Sequence, residues 1–144
     1  MIKQEDIVES ICDAFQFISY YHPKDFIDAL YGAYKKETSP NAKDALGQIL
    51  TNSKLCAIGK RPICQDTGIA TVFVKIGKNC SLDFNESSLD DVINEGVRKA
   101  YLNKTNPLRA SVLKDPTSLR KNTGDNTPAV IHYDVTQGSE LEII

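Results

Sequence analysis

The 144-residue sequence has no apolar run long enough to cross a membrane. Its most hydrophobic stretch, Ile69 to Ile76, is broken by Thr71 and Lys75, far short of the roughly 18 consecutive apolar residues that a span requires. A basic, apolar leader is also missing: Glu5 and Asp6 stand near the start, so neither a secretory signal nor a mitochondrial presequence is expected, and the reading is of a soluble, cytoplasmic protein. Cysteine is scarce. The four thiols, Cys12, Cys56, Cys64 and Cys80, are separated by 44, 8 and 16 residues, which matches neither a zinc knuckle nor a ferredoxin-type run and suits a reducing compartment. Strong charge of one sign is absent too, since the net charge is −2 and the pI about 5.7, which speaks against a general nucleic-acid binder. With 41% apolar and 25% charged residues, a disordered tail, a coiled coil and a collagen-like chain are excluded.

What is present is enough for a core, because a chain of this length buries about two thirds of the surface its unfolded form exposes. Residues 1–58 read as mostly helical. Ile7, Ile11, Ala14, Phe15 and Ile18 recur at helical spacing from Gln4 to about Tyr20. Pro23 opens a second helix with Phe26, Ile27, Leu30 and Tyr34 on one face, and Ser39-Pro40 starts a third with Ala42, Ala45, Leu46, Ile49 and Leu50 on its inner side. Phe15, Phe17, Tyr20 and Phe26 read as core. Residues 59–144 hold strands, one helix and motif loops. Ile69 to Gly77 alternates as a strand with Ala70, Val72, Val74 and Ile76 on one face. Ser88 caps a helix running to Tyr101, and residues 106–128 are irregular around four breakers, Pro107, Pro116, Gly124 and Pro128. Ala129 to Val135 and Glu140 to Ile144 are expected to form a hairpin. The fold class is α+β: an N-terminal helical segment followed by a small mixed or antiparallel sheet with packed helices.

Reactive residue types concentrate in two places. Arg61-Pro62-Ile63-Cys64-Gln65-Asp66-Thr67-Gly68 sets a thiol, an amide, a carboxylate and a hydroxyl side by side in a loop before a strand. Such a loop leaves Cys64 free to bind a metal or attack a substrate, and Asp66 free to exchange a proton. The same residues also suit a turn capped by Asp66 with Cys64 as a small buried hydrophobe. Arg120-Lys121-Asn122-Thr123-Gly124-Asp125-Asn126-Thr127-Pro128 is a second cluster, read as an elaborate turn into the next strand. Arg98 to Lys121 carries seven basic residues against Asp115, either a solvated face or an anion-binding surface. Aromatics are nearly absent there, which removes a stacking platform for nucleic acid. Arg109 stands apart in the apolar Pro107-Leu108-Arg109-Ala110-Ser111 segment, a setting suited to bidentate binding of a carboxylate. His22 and His132, beside a proline and within a strand, read as ordinary packing or surface residues.

Cys64-Gln65-Asp66-Thr67-Gly68 before an alternating strand, then Asn106-Pro107-Leu108-Arg109, then Asn122-Thr123-Gly124-Asp125-Asn126-Thr127-Pro128-Ala129, in that order, closely resemble the class I fumarate hydratases and the related tartrate dehydratase α subunits, which are iron–sulfur hydro-lyases. The resemblance spans nearly the whole sequence, the helical N-terminus being its least specific part. It implies a [4Fe-4S] cluster held by three cysteines, with one iron open to substrate oxygens. Cys64 looks like one of those ligands, Gln65 and Asp66 like substrate-contacting residues with Asp66 a proton donor or acceptor, and Arg109 like a clamp for a dicarboxylate. Cys12, Cys56 and Cys80 match no ligand position.

The family pattern goes on to a glycine-rich segment and two further cysteine ligands that this sequence does not contain. The expectation is therefore an N-terminal portion of such an enzyme, truncated or one part of a split pair, lacking a stable cluster and inactive alone. The expected partners are a dicarboxylate substrate and the remaining segment or complementary subunit, in a homodimer or heteromer, with no nucleic acid and no membrane. Hydration of fumarate to malate is the first reading and a tartrate dehydratase subunit the second. A non-catalytic interaction module is the third, and it requires Cys64 to be buried and slow to alkylate.

Overall fold

The computed structural model describes residues 1–63 and 68–144. The chain divides into two compact units: Met1–Phe15 with Asp66–Ile144, and Gln16–Gln65. The elements run β1 (Ile2–Lys3), α1 (Gln4–Tyr20), α2 (Lys24–Lys36), α3 (Pro40–Gly59), β2 (Thr71–Gly77), β3 (Leu82–Asp83), α4 (Leu89–Tyr101), β4 (Val130–Thr136) and β5 (Leu141–Ile143). The α+β class and the extents of α1 and α4 agree with the sequence pattern. The two-residue parallel pair β1–β3 is too short to leave an alternating signature.

The first unit is a layer of helix on sheet. Alternation in β2 places Ala70, Val72 and Val74 against Ile7 and Ile11 of α1 and Val92, Ile93 and Val97 of α4, all buried. Burying each such side chain stabilises by about 1.5–3 kcal/mol. The two helices come close at Gly96, where a β-carbon would lie 2.7 Å from Ile11 Cβ. Helix α4 starts on a capping box, in which the Asp91 amide donates to Ser88 Oγ (3.1 Å) and the Ser88 amide to Asp91 Oδ2 (3.0 Å).

One polar row of α4 then fixes the segment that follows the irregular stretch. Asp90, Asn94 and Arg98, one turn apart each, meet Tyr133, Ala129 and Asp125. Tyr133 donates its hydroxyl proton to Asp90, the Ala129 amide donates to Asn94 Oδ1 (2.8 Å), and Arg98 Nε donates to Asp125 Oδ2 (3.1 Å). The chain enters β4 through a cis Thr127–Pro128 bond.

The expected hairpin of the last two strands does not form. The three-stranded sheet has the order β4-β2-β5: β4 pairs parallel with β2, matching Gly77 to Thr136, and β5 pairs antiparallel with the other edge of β2, matching Ile76 to Leu141. The connection crosses the end of β2 instead of folding β5 back on β4. Its geometry depends on two glycines. Gly138 has φ +100°, and at Gly77 a β-carbon would lie 2.5 Å from the Gly138 carbonyl oxygen. The crossing is fastened by amides of Gly77, Lys78 and Asn79 donating to the carbonyls of Glu140, Thr136 and Gly138 at 2.8–2.9 Å. Turn residues alone satisfy a hairpin and this crossover equally well, and β2 offers both of its edges.

The second unit is helical. His22 Nδ1 lies 3.0 Å from Ser53 Oγ, and the Ile63 amide donates to the Ser19 carbonyl (2.8 Å). Ser53 and Cys56 are the buried residues of α3, while α2 has none. Phe17 and Phe26 are therefore not core as the spacing suggested, being 55% and 43% exposed, and Ile18, Ala45 and Ile49 are exposed as well. Among the described residues of this unit, burial is confined to Ser19 at the end of α1, to Ser53 and Cys56 of α3 and to Ile63. The aromatics instead make pairwise ring contacts, such as Phe17 with Tyr21 at 4.7 Å.

The crossover predicts opposite outcomes for two glycine substitutions. Gly77→Ala forces backbone apart and should cost about 1–3 kcal/mol. Gly32→Ala, in α2 with nothing within 4 Å of the added methyl, should raise stability by about 0.5–1 kcal/mol. Urea unfolding of both variants checks the pair, and equal effects would contradict the strand order.

Candidate functional site

Cys64, Gln65 and Asp66 lie outside the described residues, and so does the turn proposed for Asp66. The structure places what flanks them. Gly68 closes the CQDTG segment, and its carbonyl oxygen accepts from Ser111 Oγ (2.9 Å) and from Asn126 Nδ2 (3.3 Å). The end of the first motif thus touches the segment that follows the second motif, and the third motif itself, 43 and 58 residues away.

Asn126 is the joint. It is fully buried, and its Oδ1 accepts from the amides of Ser111 (2.7 Å) and Val112 (3.0 Å). Its own amide donates to Thr123 Oγ1 (3.1 Å). Its φ of +60° is a left-handed conformation that asparagine tolerates better than most side chains. Gly124, at φ +84°, makes the reversal that the sequence suggested. The turn reading of Asp125 and Asn126 is correct locally, but Asn126 also reaches two distant segments. An Asn after Gly-Asp signals a turn and carries no mark of that reach.

Arg109 is exposed, and among the described residues no ion pair engages it. Its backbone is nonetheless pinned on both sides. The Leu108 amide donates to the Tyr101 carbonyl (3.2 Å), and the Ala110 carbonyl accepts from Asn122 Nδ2 (2.8 Å). A guanidinium on a held backbone with a free head suits an incoming carboxylate.

The basic stretch is not uniform. Arg98 is committed to Glu95 and Asp125, and Lys99 to Glu9. Lys104, Arg109, Lys114, Arg120 and Lys121 remain exposed against Asp115, a local excess of +4 by count. Their loop is closed by an antiparallel bridge between Leu113 and Asn122. Hydrogen bonds from the hydroxyls of Ser118 and Thr117 hold the Asp115 carboxyl down at about 2. Burial pushes Asp125 up, but the Thr127 amide and hydroxyl and the Arg98 guanidinium outweigh it, and its carboxyl sits below the usual range. Burial raises the Tyr101 hydroxyl, with the Asn126 hydrogen bond acting the other way.

The remaining thiols do not form a metal site. Cys12 and Cys56 are buried and Cys80 is half-buried, and burial pushes the Cys12 thiol up, which disfavours a thiolate ligand. Among the described residues no group of three His, Cys, Asp or Glu side chains could hold a metal ion. The donors described here do not fit an iron–sulfur cluster, and Cys64 is the single thiol left to offer. His132 stacks on Phe73 at 4.9 Å and His22 on Phe26 at 4.6 Å, both packing roles. Among the described residues no helix is long and apolar enough to cross a membrane.

The Arg98–Asp125 pair carries a pH signature. A carboxyl held below its unfolded value adds stability that is present above about pH 4 and lost as pH falls through the folded value. Arg98→Met should cost about 1 kcal/mol or less at pH 7, because Arg98 is 41% exposed, and should flatten the loss of stability below pH 4. Urea midpoints from pH 2.5 to 7 check this, and parallel curves for both proteins would contradict it.

Comparison with known proteins covers the same residues. The family described as Fumarate hydratase (Fumerase) matches residues 8–144. A protein of Methanocaldococcus jannaschii provisionally named L(+)-tartrate dehydratase subunit alpha is 38% identical over 96% of this chain and 48% of its own length. The L(+)-tartrate dehydratase subunit alpha of Escherichia coli O157:H7 is 30% identical over 95% of this chain and 44% of its own. The chain spans about half the length of the curated relatives it matches. With motif order, residue span and joined segments in agreement, the chain belongs to the class I fumarate hydratase family of hydro-lyases.

Proposed function

We propose that this chain contributes the first part of a hydro-lyase active site that removes water from L(+)-tartrate, acting as the α-type component beside a complementary subunit. The carrying observation is the 2.9 Å bond from Ser111 to the Gly68 carbonyl, which brings the end of the CQDTG segment to the segment bearing Arg109. Tartrate is preferred to fumarate because the two relatives described above bear the tartrate dehydratase α-subunit name. Reversible hydration of fumarate to malate is the second reading, supported by the family description.

Dehydration breaks a C–H bond on one carbon and a C–O bond on its neighbour, releasing water and leaving a double bond. In this reading Arg109 binds one substrate carboxylate through its two parallel N–H donors, supported by the exposed cations around it, and so fixes the diacid end to end. Gln65 hydrogen-bonds a substrate oxygen. Asp66 donates or accepts the proton, with a complementary group from outside this chain. Cys64 is assigned as one thiolate ligand of a [4Fe-4S] cluster whose other ligands come from the rest of the assembly. When bound, such a cluster supplies a Lewis-acidic iron for substrate oxygens. One thiolate is too few, so the chain alone should neither retain a cluster nor turn over substrate.

The test is co-expression with the complementary portion, anaerobic reconstitution with iron and sulfide, and assay on L(+)-tartrate, malate and fumarate. Turnover of tartrate above the other two supports the reading, and a folded, cluster-loaded assembly inactive on all three overturns it. Arg109→Ala should lower kcat/KM by about 100-fold, mainly through KM. Cys64→Ala should prevent cluster assembly, seen as loss of the visible charge-transfer absorbance, and normal absorbance would refute the ligand assignment.

A further inference from the structure

Strands β2 and β4 run parallel, and parallel strands are as a rule covered on both faces. In this unit one face is covered. Val72 and Val74 of β2, with Ile131, Leu141 and Ile143 of the neighbouring strands, pack toward α1 and α4. The register gathers the alternate residues on the other side. His132 stands next to Phe73, and the two rings stack at 4.9 Å. Ile144, which follows β5, flanks Phe73 from the opposite edge, and each amide donates to the other's carbonyl at 2.8 Å. A phenylalanine 50% exposed and an isoleucine 63% exposed thus sit mid-sheet, where a solvated face carries polar side chains. The next row is charged. Asp134, Lys75 and Glu142 are in register across the three strands. Lys75 bonds Glu142 at 3.1 Å, and among the described residues no ion pair engages Asp134. The face is therefore an apolar row bordered by one unpaired carboxylate.

Dimensions narrow the occupant. Strands about 4.8 Å apart make a three-stranded face roughly 10 Å wide, close to the diameter of one helix. The seven residues of β2 run for about 23 Å, a length that a helix of about 15 residues covers. Relatives that match nearly all of this chain are about twice as long, so the family has further polypeptide with which to cover the face. A chain continuing from the position of Ile144 would leave the sheet beside Phe73. We propose that the face formed by Phe73, His132 and Ile144 is the docking surface for one amphipathic helix of the complementary portion, apolar toward Phe73 and carrying a Lys or Arg opposite Asp134. The proposal rests on the reading that such a portion works beside this chain, and not on which diacid is the substrate.

Hydroxyl-radical footprinting read by mass spectrometry tests the face, in this chain by itself and in the assembly co-expressed with the complementary portion. Phe73 and Ile144 should react in the lone chain and lose most of that reactivity in the assembly. Phe73→Glu puts a charge where an apolar contact is expected and should weaken association about 30-fold. Asp134→Lys should weaken it by less, through the lost pairing. Circular dichroism checks that each variant is folded, and where Phe73→Glu is not, the footprint of the wild-type chain decides. Full reactivity of Phe73 in an assembly that has formed overturns the proposal. Shielding of Phe73 in the lone chain does so as well, whether constant or, as for a second copy, rising with concentration. Failure of the two portions to associate has the same consequence. The proposed reaction is judged separately: an assembly with Phe73 shielded but inactive on every diacid removes the hydro-lyase reading and keeps this surface, and an active assembly with Phe73 still reactive does the reverse.

Discussion

A carboxamide buried without partners costs several kcal/mol, so Asn126 can occupy its fully buried position only while the Gly68 carbonyl and the Ser111 and Val112 amides supply its side chain with an acceptor and donors. That requirement runs both ways. The side chain needs two stretches of backbone that are distant in sequence, at Gly68 and at Ser111-Val112, and those irregular stretches are joined to each other through it. A satisfied buried polar network fixes one arrangement more strictly than apolar packing of similar size. The loops of this protein gain their order from that strictness.

The rest of the first unit brings those stretches within reach. Strand β2 leads away from Gly68 and buries Val72 and Val74 beneath the helices, which anchors one side of the network. Helix α4 supplies the other anchor by pairing its Asp90, Asn94 and Arg98 row with Tyr133, Ala129 and Asp125, so that Asn126 follows directly on a residue tied to the helix. The crossover past Gly77 then uses both edges of β2 and locks β4 in parallel register. Each step relies on ordinary packing or hydrogen bonding. Together they place the Arg109 segment against the close of the CQDTG segment.

Much of this was legible in the residues. The strand alternation of Ala70 to Ile76, the Ser88 cap and the helical stripe of Ile7 and Ile11 state their own burial, because period and capping are local properties. The family resemblance was legible in three short motifs for a related reason: their residue types and order carry the chemistry. What was not legible was non-local. No spacing rule says that Ala129 to Val135 pairs with β2 and not with Glu140 to Ile144, since both arrangements satisfy the same turn residues. Nor does a periodic aromatic such as Phe17 or Phe26 reveal that nothing in its own unit covers it. Asn126 looked like a turn residue and is one; that it also joins two other segments depends on how the chain returns through space.

The association of Gly68, Ser111 and Asn126 in solution is the claim on which the site depends, and native-state hydrogen exchange tests it most directly. The amides of Ser111 and Val112 sit in an irregular segment and donate to a side chain, so only a persistent network can protect them. If the account is right, both exchange as slowly as amides of the β2 core, with opening free energies near that of global unfolding. Exchange at the rate of an open loop, with β2 still protected, would contradict it.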